Sequence, residues 1–531
     1  MRTPAFVPVL VLTALLVPRP TAARQHEHPA GQEALGKVTF PVSCNAQARQ
    51  QFERAVAMLH SFWFQQADET FRATAAADAS CVMALWGIAM TAWGNPMTRA
   101  APLPAGAEAA ATALAAAKPL APGTTARERA WLEAAEALWS NATPQNHLDR
   151  MRAHEQAMKR VMDAYPEDVE AAIFYGRIVV ANAPPDDMTF ARQLHAAAVL
   201  EPLFARQPDH PGLAHYIIHA FDAPALANQG LGAAKRYAGI APAAPHALHM
   251  PSHIFTRLGH WDESIATNAR SAQAESNPDA AVHPMDYMVY AYLQLGRDRE
   301  AGEVVARARQ NPDRFYGGLL GYNFAAMSAR YALERNRWAD AAALPVPAEA
   351  PAFVTAVPRF ARALGAARSG RVQEASAEVD ALAGLRDALR QQRDTYWATV
   401  VEAQRLAAAA WVALARGDRA QAQQLATQAA ELEETVEKHP VTPGPLLPAR
   451  ELEGDLLLEL GRPTDALRAY EKTLQREPRR ARALYGAARA AELAGQTDPA
   501  RRRYTELLDL MSSADPDRPE LQRARTFLGR S

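Results

Sequence analysis

The stretch LGRPTDALRAYEKTLQREP, residues 460–478, contains the spacing from which the fold is predicted. Gly461 is followed five residues later by Ala466 and nine residues later by Tyr470. The same order returns after 34 residues, at Gly495, Ala500 and Tyr504. Glycine permits a tight turn between two helices, a small alanine lets the helices approach closely, and the aromatic ring fills the space one turn further on. The stretch therefore predicts antiparallel helix pairs with a 34-residue repeat.

Weaker copies of this pattern extend toward the N-terminus. Their turn residues are Gly259, Gly296, Asn336, Gly370 and Gly417, and the intervals along the series up to Gly495 are 37, 40, 34, 47, 44 and 34 residues. Apolar residues recur at spacings of three and four, whereas the alternation typical of strands is nearly absent. We therefore predict an all-α solenoid of antiparallel helix pairs, irregular in its N-terminal half.

The spacing of Gly, Ala and Tyr resembles the tetratricopeptide repeat (TPR) family, whose helix pairs stack into a right-handed superhelix. Four further stretches, LHSFWFQQADETF, CVMALWGIAM, HYIIHAFD and HMPSHIFTRLGHW, together resemble a group of exported bacterial TPR proteins to which no activity is assigned. The resemblance implies fold and export and carries over no catalytic residue. Because stacked helix pairs form a long concave surface, we expect a scaffold that binds a protein or peptide partner on that face.

The N-terminus has the features of an export signal: Arg2, an apolar run over residues 5–17 and small residues up to position 23. We predict a signal peptide over residues 1–23 and a periplasmic or secreted protein without a transmembrane segment after that signal. We divide the remainder into an N-terminal helical region, 24–258, and a TPR solenoid, 259–531; one continuous superhelix is the alternative. The 57 Lys and Arg against 58 Asp and Glu, a net charge of −1, predict no nucleic-acid partner.

The two cysteines, Cys44 and Cys81, are 37 residues apart, which is about one helix-pair repeat. Each could therefore begin the first helix of successive pairs, at the same end of the stack. In an exported protein this spacing favours a disulfide, and two buried thiols are the alternative.

Histidines are concentrated in the middle of the chain, where eight of the fifteen lie: His210, His215, His219, His246, His249, His253, His260 and His283. On a helix, His215 and His219 would project within about 40° of each other. Pro251 predicts either a new helix start or a kink in a helix that begins at Pro245.

Both arrangements around Pro251 bring imidazoles together. The candidate metal ligands are therefore His215, His219, His246, His249 and His253, for zinc or copper. Nearby carboxylates could act as ligands or orient a ring: Asp209, Asp222, Asp262 and Asp286. The alternative is that these rings only pack and cap helices, and no cofactor is assigned with certainty.

An enzymatic activity is not predicted. Tyr216 stands where a zinc protease of the HExxH type has its glutamate, so that reaction is set aside. The sequence also lacks a glycine-rich phosphate loop, a Gly-x-Ser-x-Gly elbow and a CxxCH haem motif. We therefore predict a binding scaffold, and the alternative is a histidine-rich metal-binding protein or metalloenzyme with its site at residues 210–253.

Overall fold

A computed structural model describes residues 34–310 and 318–529, and the chain from Leu35 onward forms one compact unit. The predicted signal peptide, residues 1–23, lies outside the described residues. Within the described ranges the regular structure is entirely helical, which confirms the all-α prediction. No helix in this part of the chain is long and apolar enough to cross a membrane.

The N-terminal half is a series of helices up to Arg257. Their bounds are α1 Ala46–His60, α2 Phe64–Ala77, α3 Val82–Thr91, α4 Pro104–Ala117, α5 Ala126–Trp139, α6 His147–Ala164, α7 Val169–Ala181, α8 Ala191–Arg206, α9 Pro211–Phe221, α10 Ala227–Ile240, α11 Pro245–His249 and α12 Pro251–Arg257.

The C-terminal half begins at Trp261. Its helices are α13 Trp261–Ala274, α14 Val282–Gln294, α15 Asp298–Ala308, α16 Gly318–Leu333, α17 Trp338–Ala342, α18 Ala352–Arg368, α19 Val372–Gln391, α20 Thr395–Ala415, α21 Arg419–Glu433, α22 Ala449–Glu459, α23 Pro463–Arg476, α24 Ala481–Leu493, α25 Thr497–Leu510 and α26 Pro519–Leu528.

The turn residues of the repeat adopt the backbone conformation that their identity predicts. Six glycines have φ between 69° and 86°, a left-handed region that is open to glycine at low cost: Gly259, Gly296, Gly370, Gly417, Gly461 and Gly495. Asn336, the weaker copy, has φ 54°. The repeat pattern therefore located the turn between the two helices of each pair.

Tyr470 shows why small residues recur in the repeat. The ring is fully buried between α22 and α24, and a Cβ at Gly486 would lie 2.3 Å from it. The hydroxyl donates to Asp455 Oδ1 at 2.6 Å. The predicted aromatic therefore does fill the space between neighbouring helix pairs.

Cys44 and Cys81 lie just before α1 and α3, the first helices of successive pairs. Their sulfur atoms are 2.00 Å apart and their Cα atoms 4.9 Å apart, which is disulfide distance. The spacing of one helix pair thus brings the two cysteines together.

The largest apolar cluster contains residues from Leu35 to Phe255, and other clusters serve the later helices. The division at residue 258 stays a prediction. The C-terminal helices also fold back onto α13–α15: Trp261 Nε1 donates to the Arg479 carbonyl at 3.0 Å, and the Asp515 amide donates to the Gly296 carbonyl at 3.0 Å.

Residues 434–448, between α21 and α22, form what we call the crossing segment, because it contacts several helix pairs. Arg330 donates to the carbonyls of Pro445 and Gly444 at 2.6 and 2.7 Å, and Asn323 donates to that of Val441 at 2.6 Å. Four prolines within residues 438–450 predict a loop rather than a regular helix. The structure adds that this loop covers helix surface on which an extended peptide could otherwise lie.

Candidate metal centre

Three short stretches of helix carry the predicted histidines. Helix α9 presents His215 and His219, both buried. Helix α11 begins at Pro245 and α12 at Pro251, and Met250 between them is itself helical, with φ −53° and ψ −36°. The two predicted alternatives therefore coincide, because a helix from Pro245 is interrupted and restarts at Pro251.

The structure brings all five predicted histidines together and adds a sixth. They form two groups, each with its candidate ligand atoms within 4.8 Å of one another. The first triad is His215, His219 and His246, and the second triad is His249, His253 and His283. His283, at the start of α14, belonged to the sequence cluster but was not among the predicted ligands. The signal available in the sequence was its place within the histidine-rich stretch 210–283.

In the first triad one ring is fixed and one ring nitrogen lacks a hydrogen-bond partner. His215 Nδ1 donates to the His60 carbonyl at 2.6 Å, so its Nε2 carries a lone pair. That Nε2 lies 3.2 Å from His246 Nε2. His219 Nε2 is buried and finds no hydrogen-bond partner among the described residues.

In the second triad the protonation of His249 is set by its neighbour Asn268. The Asn268 amide nitrogen donates to the Ser264 carbonyl at 2.7 Å, which fixes the orientation of the amide group. The amide oxygen of Asn268 then accepts from His249 Nδ1 at 2.6 Å. His249 Nδ1 therefore carries the hydrogen, and its Nε2 carries a lone pair.

The protonation of His253 is set by a carboxylate. Its Nδ1 lies 2.7 Å from Asp222 Oδ2, and Asp222 also accepts from Arg257 at 2.9 Å and from Lys438 at 2.8 Å. Burial raises the pKa of Asp222, but the charges of Lys438 and Arg257 outweigh burial and hold it well below its usual value. Asp222 is therefore ionised, His253 Nδ1 carries the hydrogen, and His253 Nε2 is bare.

Two lone pairs consequently face each other, because His249 Nε2 and His253 Nε2 are 3.0 Å apart. A proton could bridge them, but burial lowers the pKa of His253 and lowers that of His249 well below its ordinary value. A tetrahedral metal ion with bonds of about 2.0–2.1 Å holds two nitrogens about 3.3 Å apart. The spacing of both close nitrogen pairs is therefore near that of two ligands on one ion.

A second cluster, which we call the Glu170 network, also has its candidate ligand atoms within 4.8 Å of one another, but a carboxylate lies between its two rings, and His210 Nδ1 is its one ring nitrogen without a partner among the described residues. His60 Nε2 lies 2.9 Å from one oxygen of Glu170, and His210 Nε2 lies 2.8 Å from the other. The Tyr216 hydroxyl, 3.0 Å from His60 Nδ1, donates to that nitrogen. Burial raises the pKa of Glu170, but His210 and His60 outweigh burial and hold it at about 2. No local pattern in the sequence points to Glu170, which is 110 residues from His60 along the chain.

The six-histidine centre has an apolar wall and a more accessible side. Phe62, with a left-handed φ of 52°, stacks on the His246 ring at 5.2 Å and contacts the His215 ring at 4.4 Å. A bulky residue in this region is strained, and such strain is concentrated at functional sites. His246 and His283 are only half-buried, so an ion would enter from their side.

Stacked antiparallel helix pairs place this chain in the class of helical-repeat proteins. Residues 457–526 match the tetratricopeptide repeat family, so this part of the chain contains TPR repeats. It is similar to the crystal structure of the P58(IPK) TPR domain, with 16% sequence identity and a TM-score of 0.21, over 68% of this chain and 98% of that one. A search of curated proteins found no match.

Proposed function

We propose that this protein binds transition-metal ions in its six-histidine centre. The observation that supports the proposal best is the pair His249 Nε2 and His253 Nε2, 3.0 Å apart. Each ring has its other nitrogen committed as a donor, to Asn268 and Asp222 respectively. Second-shell bonds of this kind orient histidine ligands on metal ions.

The donor set restricts the class of ion. Six neutral imidazoles without a thiolate suit zinc or copper, whereas calcium and magnesium require oxygen ligands. In the six-histidine centre, the metal ion lies between the imidazole rings. In the Glu170 network, a carboxylate has the corresponding position between His60 and His210.

Metal analysis of protein prepared without a histidine tag tests this proposal. Protein stripped with a chelator, reloaded with zinc or copper and desalted should retain ions. Its free energy of unfolding should rise by about 3 kcal/mol at a hundredfold excess of metal over Kd. His253→Ala, which leaves the first triad intact, should reduce this gain, while His195→Ala, at an exposed ring bonded to Tyr175, should keep it in full. Absence of both retained metal and stabilisation in the unaltered protein would refute the proposal.

A second candidate function is protein or peptide binding, which TPR repeats generally serve. A surface pocket formed partly by the crossing segment supports it. Its lining combines apolar and aromatic groups such as Trp397, Val400 and Leu446 with charged groups such as Glu434 and Lys472. We propose this pocket, rather than the helix surface already covered by the crossing segment, as the contact point.

The pocket can be tested by affinity capture of binding proteins with two matched variants. Val400→Arg places a charge on the pocket wall, and Leu493→Arg makes the same change at a residue that is 50% exposed outside the pocket. A partner lost with the first variant and kept with the second supports binding at the pocket. Equal capture by both variants excludes it.

Export to the periplasm or the medium is also proposed. The close approach of Cys44 and Cys81 supports it, because disulfides persist in oxidising compartments. N-terminal sequencing should find a start near Arg24, and thiol counting under denaturing, non-reducing conditions should find no free thiol. Retention of Met1 would contradict export.

A further inference from the structure

We infer that the centre holds two ions, one in each triad, and that it takes copper(I) in preference to divalent zinc. This inference rests on the proposed function, since it specifies the number and kind of ions that the six histidines hold.

Two ions follow from the grouping of the donors. Each triad supplies three ring nitrogens within 4.8 Å of one another, and the two triads are separate groups. The triads are nevertheless neighbours, because the rings of His219 and His253 are 5.6 Å apart and those of His246 and His249 are 5.8 Å apart. Three protein ligands and one open position are the arrangement of a reactive metal site rather than a closed structural one.

The preference for copper(I) follows from charge. Imidazole binds a metal ion as a neutral ligand, so two Zn²⁺ ions would add four positive charges to a buried site and two Cu⁺ ions only two. Uncompensated buried charge is costly, and the cost rises with the charge.

The carboxylates near the centre are already neutralised. Asp222 contacts His253 Nδ1, the ring nitrogen that faces away from the ion. Asp222 also forms ion pairs with Arg257 and Lys438. Asp286, also on α14, is fully buried and paired with Arg330 at 3.2 Å. No free carboxylate near the two triads, among the described residues, is therefore available to offset divalent ions.

Titration of metal-free protein with Cu(I) under anaerobic conditions, in competition with a colorimetric Cu(I) chelator, tests the inference. We expect two ions per chain in the unaltered protein. His219→Ala, which removes one ligand of the first triad, should leave one, and His195→Ala should leave two. A circular-dichroism spectrum checks that each variant is folded, and the count in the unaltered protein stands even if His219→Ala does not fold.

The outcomes separate the inference from the proposed function. A count of one ion, or displacement of copper by an equal concentration of zinc, overturns the inference while metal binding stands. Two ions that survive a hundredfold excess of zinc support it. No bound ion of either metal refutes the proposed function itself.

Discussion

The Glu170 network and the six-histidine centre both bury imidazole rings, yet they differ in what lies between the rings. In the network, a carboxylate accepts from His60 and His210, and hydrogen bonding is nearly complete. In the centre, the nitrogens of His249 and His253 that face each other are both bare. The comparison teaches that burial of histidines does not itself indicate a metal site, whereas opposed lone pairs do.

The largest expected effect is loss of metal from the second triad. His249→Ala removes one of the two opposed nitrogens and should lower the metal affinity of that triad more than a hundredfold, beyond the ten- to hundredfold effect of residues that only orient a ligand. Glu170→Gln should leave the affinity within about threefold, because Glu170 bonds to His60 and His210, which lie outside the six-histidine centre. Competition with a chelator measures the metal affinity of both variants. An equal loss of affinity in the two variants would contradict the distinction between the two clusters.

Acid should destabilise the fold through buried rings that have no carboxylate. His154 donates from Nδ1 to the Ala134 carbonyl at 2.7 Å, and burial lowers its pKa to about 4. Below pH 6.5 the unfolded chain binds this proton first, so stability is lost as the pH falls toward 4. By pH 5 the loss from this ring should be about 2 kcal/mol, at 1.36 kcal/mol for each pH unit.

The variant His154→Asn isolates that contribution, because its amide can donate to the same carbonyl and does not titrate. The stability advantage of the unaltered protein over this variant should shrink between pH 6.5 and 5 in urea unfolding. An advantage that is constant with pH would show that His154 is not a buried neutral ring.

Removing the charge of Glu170 should weaken the fold. In Glu170→Gln one amide oxygen replaces two carboxylate oxygens, so one of His60 and His210 loses its acceptor. An unsatisfied buried group costs about 1–3 kcal/mol, and we expect about 2 kcal/mol in urea unfolding of metal-free protein. Glu167→Gln, exposed just before α7, is the matched control and should be neutral. No change in Glu170→Gln would mean that the network contributes little to stability.

The smallest effect should come from Asn268, which orients His249 without touching the ion. Asn268→Leu removes the acceptor at His249 Nδ1 and should lower metal affinity about tenfold. Asn182→Leu removes an amide bonded to Glu155, outside the centre, and serves as control. Unchanged affinity in Asn268→Leu would show that the ring of His249 needs no fixed protonation to bind metal.

Much of this fold could be predicted, because the turn in each repeat is determined by residues that are close together in the sequence. Gly461 and Gly495 mark turns that depend only on residues next to them in sequence. The candidate ligands could be predicted for the same reason, since four of the five lie on α9 and α11.

The protonation of those ligands could not be predicted. It depends on Asp222 and Asn268, and Asp222 in turn depends on Lys438, which is 216 residues away along the chain. The prolines of residues 438–450 predict a loop, but its route across the helix pairs depends on Asn323 and Arg330, which no local pattern connects to it. Long-range contacts of this kind decide which histidines face a carboxylate and which face each other.

Anomalous X-ray diffraction from crystals of the copper-loaded, untagged protein tests the central claim most directly. The account predicts an anomalous peak at the copper edge within bonding distance of both His249 Nε2 and His253 Nε2, and no peak within the Glu170 network. Crystals grown with excess metal that show no peak in either triad would contradict it.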